Sequence, residues 1–424
     1  MNFRRLVAPR VVGSRTRPTM GHEPPPTHAD MRRDIATELA DLAAAGRLRQ
    51  RPVIDSPDDR VVMLCADGKR LKLHNWASND YLGAANRRTV KNAAARALRT
   101  YGAGAGAARL LAGGLRCHRR LEERLAHWLG REEALVTSTG FQANLATLVS
   151  LASGAEDVVI LDRMCHASSY DGARLAAGTL LRFAHNDLAD LEKQLERTSG
   201  AKRRVVCVES VYSMDGDEAP LVGIHQLCQK HGALLVVDEA HAIGVLGPAG
   251  RGLCAELGVV PDLLVGTCSK SLGSQGGFLA GDRDVIELVV NRGRSFIFST
   301  APVPAAMGAA VATLDLLRRH PELPAQLVEE SSALRKQLQA QGWNIPNGRT
   351  AIIPLIVGDE SAALALSATL RTAGHFAPAI RPPTVPAGAC RLRLTVTLAH
   401  TPSDRQRLVR ALAAARAKGI ESTP

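Results

Sequence analysis

The sequence predicts an α/β fold with a mostly parallel central sheet flanked by helices, a smaller C-terminal α+β domain and a short N-terminal helical segment. Three observations lead to this prediction. From about residue 85, helical patterns alternate with short apolar runs, which is the rhythm of strand–helix–strand units. The runs are apolar at successive positions, as in parallel strands that are covered on both faces. They span residues 158–161, 205–208, 234–237 and 263–265, and polar residues follow each of them.

We expect four parts along the 424-residue chain. The first residues lack a hydrophobic period, and an amphipathic helix is predicted over 30–46. After about residue 300, long Ala/Leu-rich helical patterns accompany a predicted strand, 352–357, and the segment 391–397. We therefore assign a disordered leader to 1–28, an N-terminal segment to 29–84, a large domain to 85–300 and a small α+β domain to 301–424.

The first 20 residues contain five arginines and no acidic residue. This composition suits an organellar transit peptide or a region upstream of a true start at Met20, and both alternatives stay open. The net charge of +12 falls to about +7 without these five arginines. The other basic residues are scattered and aromatic residues are only 3% of the chain, which argues against nucleic-acid binding.

The eight cysteines occur singly and form no CxxC pair. Without a secretory signal, this pattern predicts neither disulfides nor a zinc site, and a reducing cytoplasm suits it best. The longest apolar runs are much shorter than the roughly 18 residues of a membrane-spanning helix. We therefore expect a cytoplasmic protein with no metal site and no membrane span.

Lys270 is the first candidate catalytic residue. It lies in the segment GTCSKSLG, in a short loop after the predicted strand 263–265. A desolvated lysine at such a place can lose its proton and form an imine with a carbonyl group. An isolated loop lysine is usually solvated instead, so this interpretation depends on its neighbours.

Asp238 and His241 follow the predicted strand 234–237 in the segment VDEAH. A carboxylate at the end of a buried strand needs a cationic partner, and a protonated pyridine nitrogen is such a partner. That pairing makes the ring an electron sink for chemistry at an amino-acid Cα. His241 is placed to hydrogen-bond the phenolic oxygen of the same cofactor. Together with Lys270, these residues predict pyridoxal 5'-phosphate as the cofactor of the large domain.

Two further segments are predicted to contact this cofactor. TGFQAN, residues 139–144, opens a helix whose free amides would hold the phosphate. His166 follows the strand 158–161 and is placed to stack on the ring, because ligands of open sheets bind beyond the carboxyl ends of the strands. The glycine-rich segment 102–114 is similar to a dinucleotide fingerprint, but no strand precedes it in a compact unit, so nucleotide binding is not expected there.

Six motifs carry a resemblance to a known family: SNDYLG from Ser78, SMDGD from Ser213, VDEAH from Val237, GTCSKSLG from Gly266, FIFST from Phe296 and IRPPTVP from Ile380. From about residue 35 to 415, the chain resembles the α-oxoamine synthases, which are fold-type I transferases that depend on pyridoxal phosphate. It departs from their usual pattern at Ser269, where glycine is frequent, and in the segment GAGAARLLAGG. Neither difference removes a catalytic group.

The resemblance implies a role for each matching position. Lys270 would hold the cofactor, Asp238 would pair with the ring nitrogen and His166 would stack on the ring, and these three form the predicted catalytic set. The predicted cofactor contacts are Gly140, Phe141, His166, Ser213, Asp238, His241, Thr267, Lys270 and, across a dimer interface, Thr300. The predicted substrate contacts are Arg49, Asn79, His166, Thr384 and Arg393, of which Asn79 and Arg393 would hold the amino-acid carboxylate.

Enzymes of this family join an amino acid to an acyl thioester and release CO2. IRPPTVP is typical of the biotin-synthesis branch, which implies L-alanine, a pimeloyl thioester of coenzyme A or acyl carrier protein, and a homodimer with shared active sites. One alternative is a sister enzyme that joins glycine to acetyl-CoA, or glycine or serine to a longer thioester. An aminotransferase and a non-catalytic binding module are the others, and retention of Lys270, Asp238 and His241 argues against the module.

Overall fold

The computed structural model describes residues 27–49, 51–56, 60–66 and 68–420. The chain divides between residues 52 and 53 into two compact units, which are described separately. The smaller unit contains α1 (His28–Ala44), which matches the predicted helix 30–46. Thr27 and Asp30 cap this helix reciprocally, each side chain accepting from the backbone N–H of the other. The predicted leader lies outside the described residues except for its last two positions.

The larger unit begins with three antiparallel hairpin strands and continues into the strands of a central sheet. The hairpin strands are β1 (Val53–Ser56), β2 (Val61–Ala66) and β3 (Lys69–Asn75). The strands of the central sheet are β4 (Glu133–Thr137), β5 (Asp157–Asp162), β6 (Thr179–Phe183), β7 (Arg203–Glu209), β8 (Leu234–Asp238), β9 (Leu263–Thr267) and β10 (Gly277–Gly281).

The central sheet has the spatial order β4-β10-β9-β8-β7-β5-β6. β10 runs antiparallel to both of its neighbours, β4 and β9, and all other neighbouring pairs in this sheet are parallel. The predicted mostly parallel sheet is therefore confirmed, and the four predicted runs correspond to β5, β7, β8 and β9. Both faces of the sheet are buried: in β7, Val206 and Val208 pack in one core, whereas Val205 and Cys207 pack in another.

Helices cover the sheet and join its strands. Before the sheet and between its strands they are α2 (Arg88–Tyr101), α3 (Arg116–Leu129), α4 (Gly140–Leu151), α5 (Ala167–Leu175), α6 (Leu188–Arg197), α7 (Leu221–His231) and α8 (Leu253–Leu257). After the sheet they are α9 (Arg283–Arg292), α10 (Arg294–Ile297), α11 (Pro304–Arg319), α12 (Leu323–Ala340), α13 (Glu360–Thr372) and α14 (Pro402–Ala417).

The C-terminal part of the chain contributes four short strands: β11 (Ile352–Gly358), β12 (His375–Phe376), β13 (Ala379–Ile380) and β14 (Cys390–Thr395). β11, β14 and β13 form an antiparallel sheet, in which β11 and β14 match the predicted strand 352–357 and the segment 391–397. β12 pairs in parallel with β3 of the hairpin, so the beginning of the larger unit shares a sheet with its end.

Two expectations from the sequence concern membrane-spanning helices and disulfides. Within the described ranges, no helix combines the length and the apolar composition that crossing a bilayer requires. All eight cysteines are free thiols. The boundaries assigned to the four parts of the chain stay predictions.

Candidate active site

Lys270 lies just beyond the carboxyl end of β9, within the electrostatic influence of Asp238 at the end of β8 and of Glu209 at the end of β7. Desolvation lowers the pKa of Lys270 to about 8, and the charge of Asp238, with that of Glu209 when it is ionised, opposes this shift only in part. About a tenth of the amine is therefore unprotonated at pH 7, and this is the form that attacks a carbonyl carbon.

A hydrogen-bond network joins Asp238 to His166 through two buried side chains. Asn144 Nδ2 donates to Asp238 Oδ2 at 2.8 Å and to Ser168 Oγ at 2.9 Å. His166 Nδ1 accepts the Ser168 backbone N–H at 3.2 Å and lies 2.8 Å from Ser168 Oγ. Because this nitrogen accepts, the serine hydroxyl donates to it, and the proton of the neutral imidazole lies on Nε2.

His241 is held by Tyr81, the tyrosine of the SNDYLG motif. The Tyr81 hydroxyl lies 2.7 Å from His241 Nδ1, and both side chains are buried. Burial, assisted by the positive charge of Lys270, lowers the pKa of His241, so its ring is neutral. Burial also raises the pKa of Tyr81, so the hydroxyl keeps its proton, and its oxygen lies within hydrogen-bond distance of both His241 Nδ1 and, at 3.3 Å, Asn79 Oδ1.

Arg393, on β14, connects the C-terminal strands to this site. Its Nη1 donates to Asn79 Oδ1 at 3.0 Å and its Nη2 to the Tyr81 hydroxyl at 3.3 Å. Its Nε donates to the carbonyl oxygen of Ser213. The structure thus brings together the predicted pair Asn79 and Arg393 and places it beside the predicted cofactor contact Ser213.

Residues 213–218, which we call the clamped loop, follow β7 and begin at Ser213. Thr350 Oγ1 donates to the Gly216 carbonyl at 2.8 Å. Each acidic side chain of the loop pairs with a cation from a distant part of the chain: Asp215 with Arg391, Asp217 with His185 and Glu218 with Arg349. Three ion pairs therefore hold the loop that carries Ser213.

His185 bridges the clamped loop to the end of β5. Its Nδ1 lies 2.9 Å from Asp162 Oδ1 and its Nε2 lies 2.8 Å from Asp217 Oδ2. Burial opposes the charge of the ring, but the hydrogen bonds to the two carboxylates outweigh it and raise the pKa of His185 to about 10. The bridge is therefore an imidazolium between two carboxylates at neutral pH.

The N-terminus of α4 presents free donors beside His166. Thr139 caps this helix by accepting the Gln142 N–H at 3.0 Å. The backbone N–H groups of Gly140 and Phe141 make no hydrogen bond with any described residue. The rings of Phe141 and His166 meet edge-on with centroids 6.4 Å apart. Two free amides at the positive end of a helix form a surface that attracts an anion.

Thr267 lies against this helix end. A Cβ added to Gly140 would be 3.4 Å from the Thr267 Cβ, so the two segments are in close contact. Thr267 Oγ1 donates to the Gly276 carbonyl at 2.8 Å and lies 2.7 Å from Ser269 Oγ. The main chain of Thr300 is also nearby, because Ser138 Oγ donates to its carbonyl at 3.1 Å.

Glu209 is a buried acid next to the residues above. It lies opposite Asp238 in the ladder between β7 and β8, and it accepts the backbone N–H of His166. Burial, followed by the negative charge of Asp238, raises the pKa of Glu209 to about 8. Its carboxyl group is therefore mostly protonated at neutral pH, which avoids two like charges side by side.

Two predicted substrate contacts, Arg49 and Thr384, are exposed side chains. Arg49 is exposed in the smaller unit, which is described by itself. Thr384 is exposed in the loop between β13 and β14, where its N–H donates to the Arg381 carbonyl at 3.0 Å. The roles predicted for both stay predictions.

Five residues that support the site were not predicted from the sequence: Tyr81, Asn144, Glu209, Ser168 and His185. Three lay within segments that had already been identified, since Tyr81 belongs to SNDYLG, Asn144 ends TGFQAN and Ser168 closely follows His166. The placement of Glu209 at the last position of a buried run was the available signal for that residue. No sequence signal indicated His185, because only the fold brings its two partners, Asp162 and Asp217, next to it.

Comparison with known proteins gives three results. The family described as aminotransferase class I and II matches residues 72–412. A protein of Geobacter sulfurreducens named 8-amino-7-oxononanoate synthase is 43% identical over 389 residues, which cover 90% of this chain and 98% of that protein. A protein of Anaeromyxobacter dehalogenans with the same name is 44% identical over 382 residues, covering 90% and 94%.

Solved structures agree with these matches. A serine palmitoyltransferase variant from S. paucimobilis, with bound pyridoxal phosphate and myriocin, superposes with a TM-score of 0.85 and 31% identity. The match covers 93% of this chain and all of that one. The chain is therefore similar over nearly its whole length both to named synthases and to a structure that binds pyridoxal phosphate.

Proposed function

The chain belongs to the class I and II aminotransferase family and, within it, to the 8-amino-7-oxononanoate synthases, and from this premise we propose that it joins L-alanine to a pimeloyl thioester in biotin synthesis. The products are 8-amino-7-oxononanoate, CO2 and the free thiol carrier. One observation carries the proposal: relatives with this name match 90% of the chain at 43–44% identity. The family predicted from six motifs is confirmed by these matches.

Pyridoxal 5'-phosphate is the cofactor of this family, and the residues present fit it. The free amides of Gly140 and Phe141 suit its phosphate, and the amine of Lys270 suits its aldehyde. The Asp238 carboxylate accepts from Asn144 and from the Ala240 N–H, which leaves lone pairs for a pyridinium N–H. When bound, the cofactor supplies an electron sink that stabilises negative charge at the amino-acid Cα.

Arg393 would hold the carboxylate of alanine. A guanidinium group has five N–H donors, of which Asn79, Tyr81 and Ser213 take three. One donor remains on each Nη, which is the arrangement that a carboxylate accepts in a bidentate pair. Asn79 has its Oδ1 engaged, so its amide nitrogen is the part that would face the substrate.

Lys270 would remove and return the proton at the alanine Cα. Its lowered pKa keeps part of the amine in the basic form near neutral pH, where a general base acts best. His166 would stack on the cofactor ring, with its tautomer fixed by Ser168. His241, whose Nδ1 faces Tyr81, would hydrogen-bond the phenolic oxygen through Nε2, and Ser213 would lie on the same side.

The remaining assignments rest on family resemblance. Thr267 would contact the phosphate, and Thr300 would reach the phosphate of a partner subunit's cofactor in a homodimer. Thr384 would lie near the acyl substrate, and Arg49 would contact a substrate. We also propose that the enzyme acts in the cytoplasm and that its thiol carrier is coenzyme A or acyl carrier protein.

The proposal is tested by assaying the purified, cofactor-loaded protein for thiol and CO2 release. L-Alanine, glycine and L-serine are each combined with pimeloyl-CoA, pimeloyl-acyl carrier protein, acetyl-CoA and palmitoyl-CoA. We expect turnover with L-alanine and a pimeloyl thioester. Turnover with glycine and acetyl-CoA, or with serine and palmitoyl-CoA, would assign the chain to a sister activity. Amino-group transfer without CO2 release would make it an aminotransferase.

A further inference from the structure

A second cavity, separate in its residues from the candidate active site, has a volume of about 540 Å³. It lies between the β2–β3 hairpin, the start of β12 and helix α14. Val61, Leu73, Ala373 and Ala411 provide apolar wall. Its polar wall consists largely of basic side chains, namely Arg60, Lys72, His74, His375, Arg407 and Arg410. We call it the basic cavity.

The positive charges of the basic cavity are not balanced within the described part of the chain. Asp404 is buried beside the cavity, and Arg60 Nε lies 2.6 Å from one of its carboxylate oxygens. The other carboxylate oxygen lies 3.1 Å from His74 Nδ1. The single charge of Asp404 is therefore matched by Arg60, and Lys72, Arg407 and Arg410 form no ion pair with any described residue.

The ring of His74 lies within the field of these cations. Desolvation lowers the pKa of His74, the nearby Asp404 raises it, and the charges of Arg407, Arg60 and Lys72 lower it further. The net shift is downward, so His74 is neutral at physiological pH. Its Nε2 accepts from Arg407 Nη1 at 3.4 Å, which leaves most of that guanidinium's donors unused.

We propose that the basic cavity binds a small phosphorylated molecule, with phosphate oxygens held by Lys72, Arg407 and Arg410. Guanidinium groups match the geometry of phosphate, and the ammonium group adds a point charge. The volume falls within the range of roughly 300–1,000 Å³ that small-molecule sites occupy. The apolar wall residues would contact the organic part of the ligand, and the bound anion would relieve the mutual repulsion of the three cations.

The test uses pyridoxal-phosphate-loaded protein, in which the cofactor's own phosphate site is filled. Titration calorimetry with pyrophosphate, ADP and uncharged adenosine is carried out on the wild type and on two double variants. Lys72→Gln with Arg410→Gln removes two cations of the cavity. Lys193→Gln with Arg318→Gln is the matched control, because both residues are exposed and lie on α6 and α11.

We expect the wild type and the control to bind pyrophosphate and ADP, but not adenosine, with an affinity that falls as salt is added. The cavity variant should bind both anions at least about tenfold more weakly. Equal binding by all three proteins would place the anion elsewhere and overturn the proposal, as would no binding by the wild type. If the cavity variant fails to fold, Lys72→Arg with Arg410→Lys must retain binding, and loss of binding by that folded variant contradicts the proposal.

Discussion

The two ends of the candidate site are held in different ways. At the cofactor end, Asn144 and Ser168 join Asp238 to His166 through hydrogen bonds among residues that lie close to one sheet edge. At the substrate end, the clamped loop is held by ion pairs with His185, Arg349 and Arg391. The cofactor end therefore depends on hydrogen bonds that position one carboxylate and one neutral imidazole, whereas the substrate end depends on ion pairs between opposite charges.

The largest effect is expected from Lys270→Ala at the cofactor end. Without the amine, neither attachment of the cofactor nor transfer of the Cα proton is supported, and kcat should fall at least about 1,000-fold. Steady-state thiol release measures the change. The control is Lys230→Ala, which removes an exposed lysine paired with Glu192 and should keep full activity. A Lys270→Ala enzyme with more than a tenth of wild-type turnover would contradict this assignment.

Asn144→Ala should have the second largest effect, because it removes the donor that Asp238 and Ser168 share. We expect kcat to fall roughly 10- to 100-fold and stability to fall by about 1–3 kcal/mol. The pH titration of the bound cofactor's absorbance should also shift, which a purely structural role would not produce. Asn291→Ala is the control, because Asn291 is an exposed side chain of α9 whose amide donates to the Glu287 carbonyl. An unchanged titration would show that Asn144 does not position Asp238.

Asp215→Asn tests the clamped loop and should act mainly on substrate binding. The loss of its charge leaves the buried Arg391 without its acidic partner, at a cost of roughly 3 kcal/mol in stability. Because Arg393 holds the Ser213 carbonyl, we expect KM for L-alanine to rise up to about tenfold and kcat to change less. Asp171→Asn, which breaks an exposed pair with Arg174, should cost no more than about 0.5 kcal/mol. A fall in kcat at constant KM would show that the two ends are not separable in this way.

The His185 bridge should have the smallest effect on catalysis, because it acts on the pH dependence of stability. The pKa of this group is about 10 in the folded protein, against 6.5 for an ordinary histidine, so folding favours its protonated form. Its contribution to stability is complete below pH 6.5, declines above that value and is lost as the pH rises through about 10. Denaturation of the wild type and of His185→Gln should therefore differ most at pH 6 and converge towards pH 10. A constant difference would mean that the imidazolium does not carry the effect.

Features with a local sequence pattern could be predicted from the sequence. The apolar runs that became β5, β7, β8 and β9 predicted the sheet, since a strand buried on both faces has a local signature. The residues after these runs, including Lys270, were then predicted to converge, because parallel strands place their carboxyl ends at one edge.

The remaining features depend on contacts between distant positions. The parallel pairing of β12 with β3 joins His375 to His74, and no local pattern indicates that partner. The roles of Tyr81 and His185 depend on the side chains that surround them in the fold. A single sequence does not indicate which residues those neighbours are. β4 and β10, which are neighbours at one edge of the central sheet, were likewise not predicted.

The most direct test of the central claim is to identify the amine that holds the cofactor. The protein is loaded with pyridoxal phosphate, reduced with borohydride, digested and examined by peptide mass spectrometry. We expect the cofactor to be fixed to the peptide that contains Lys270, with no labelled peptide from Lys270→Ala. A cofactor fixed to another lysine, or equal labelling of the variant, would contradict the assignment of this site.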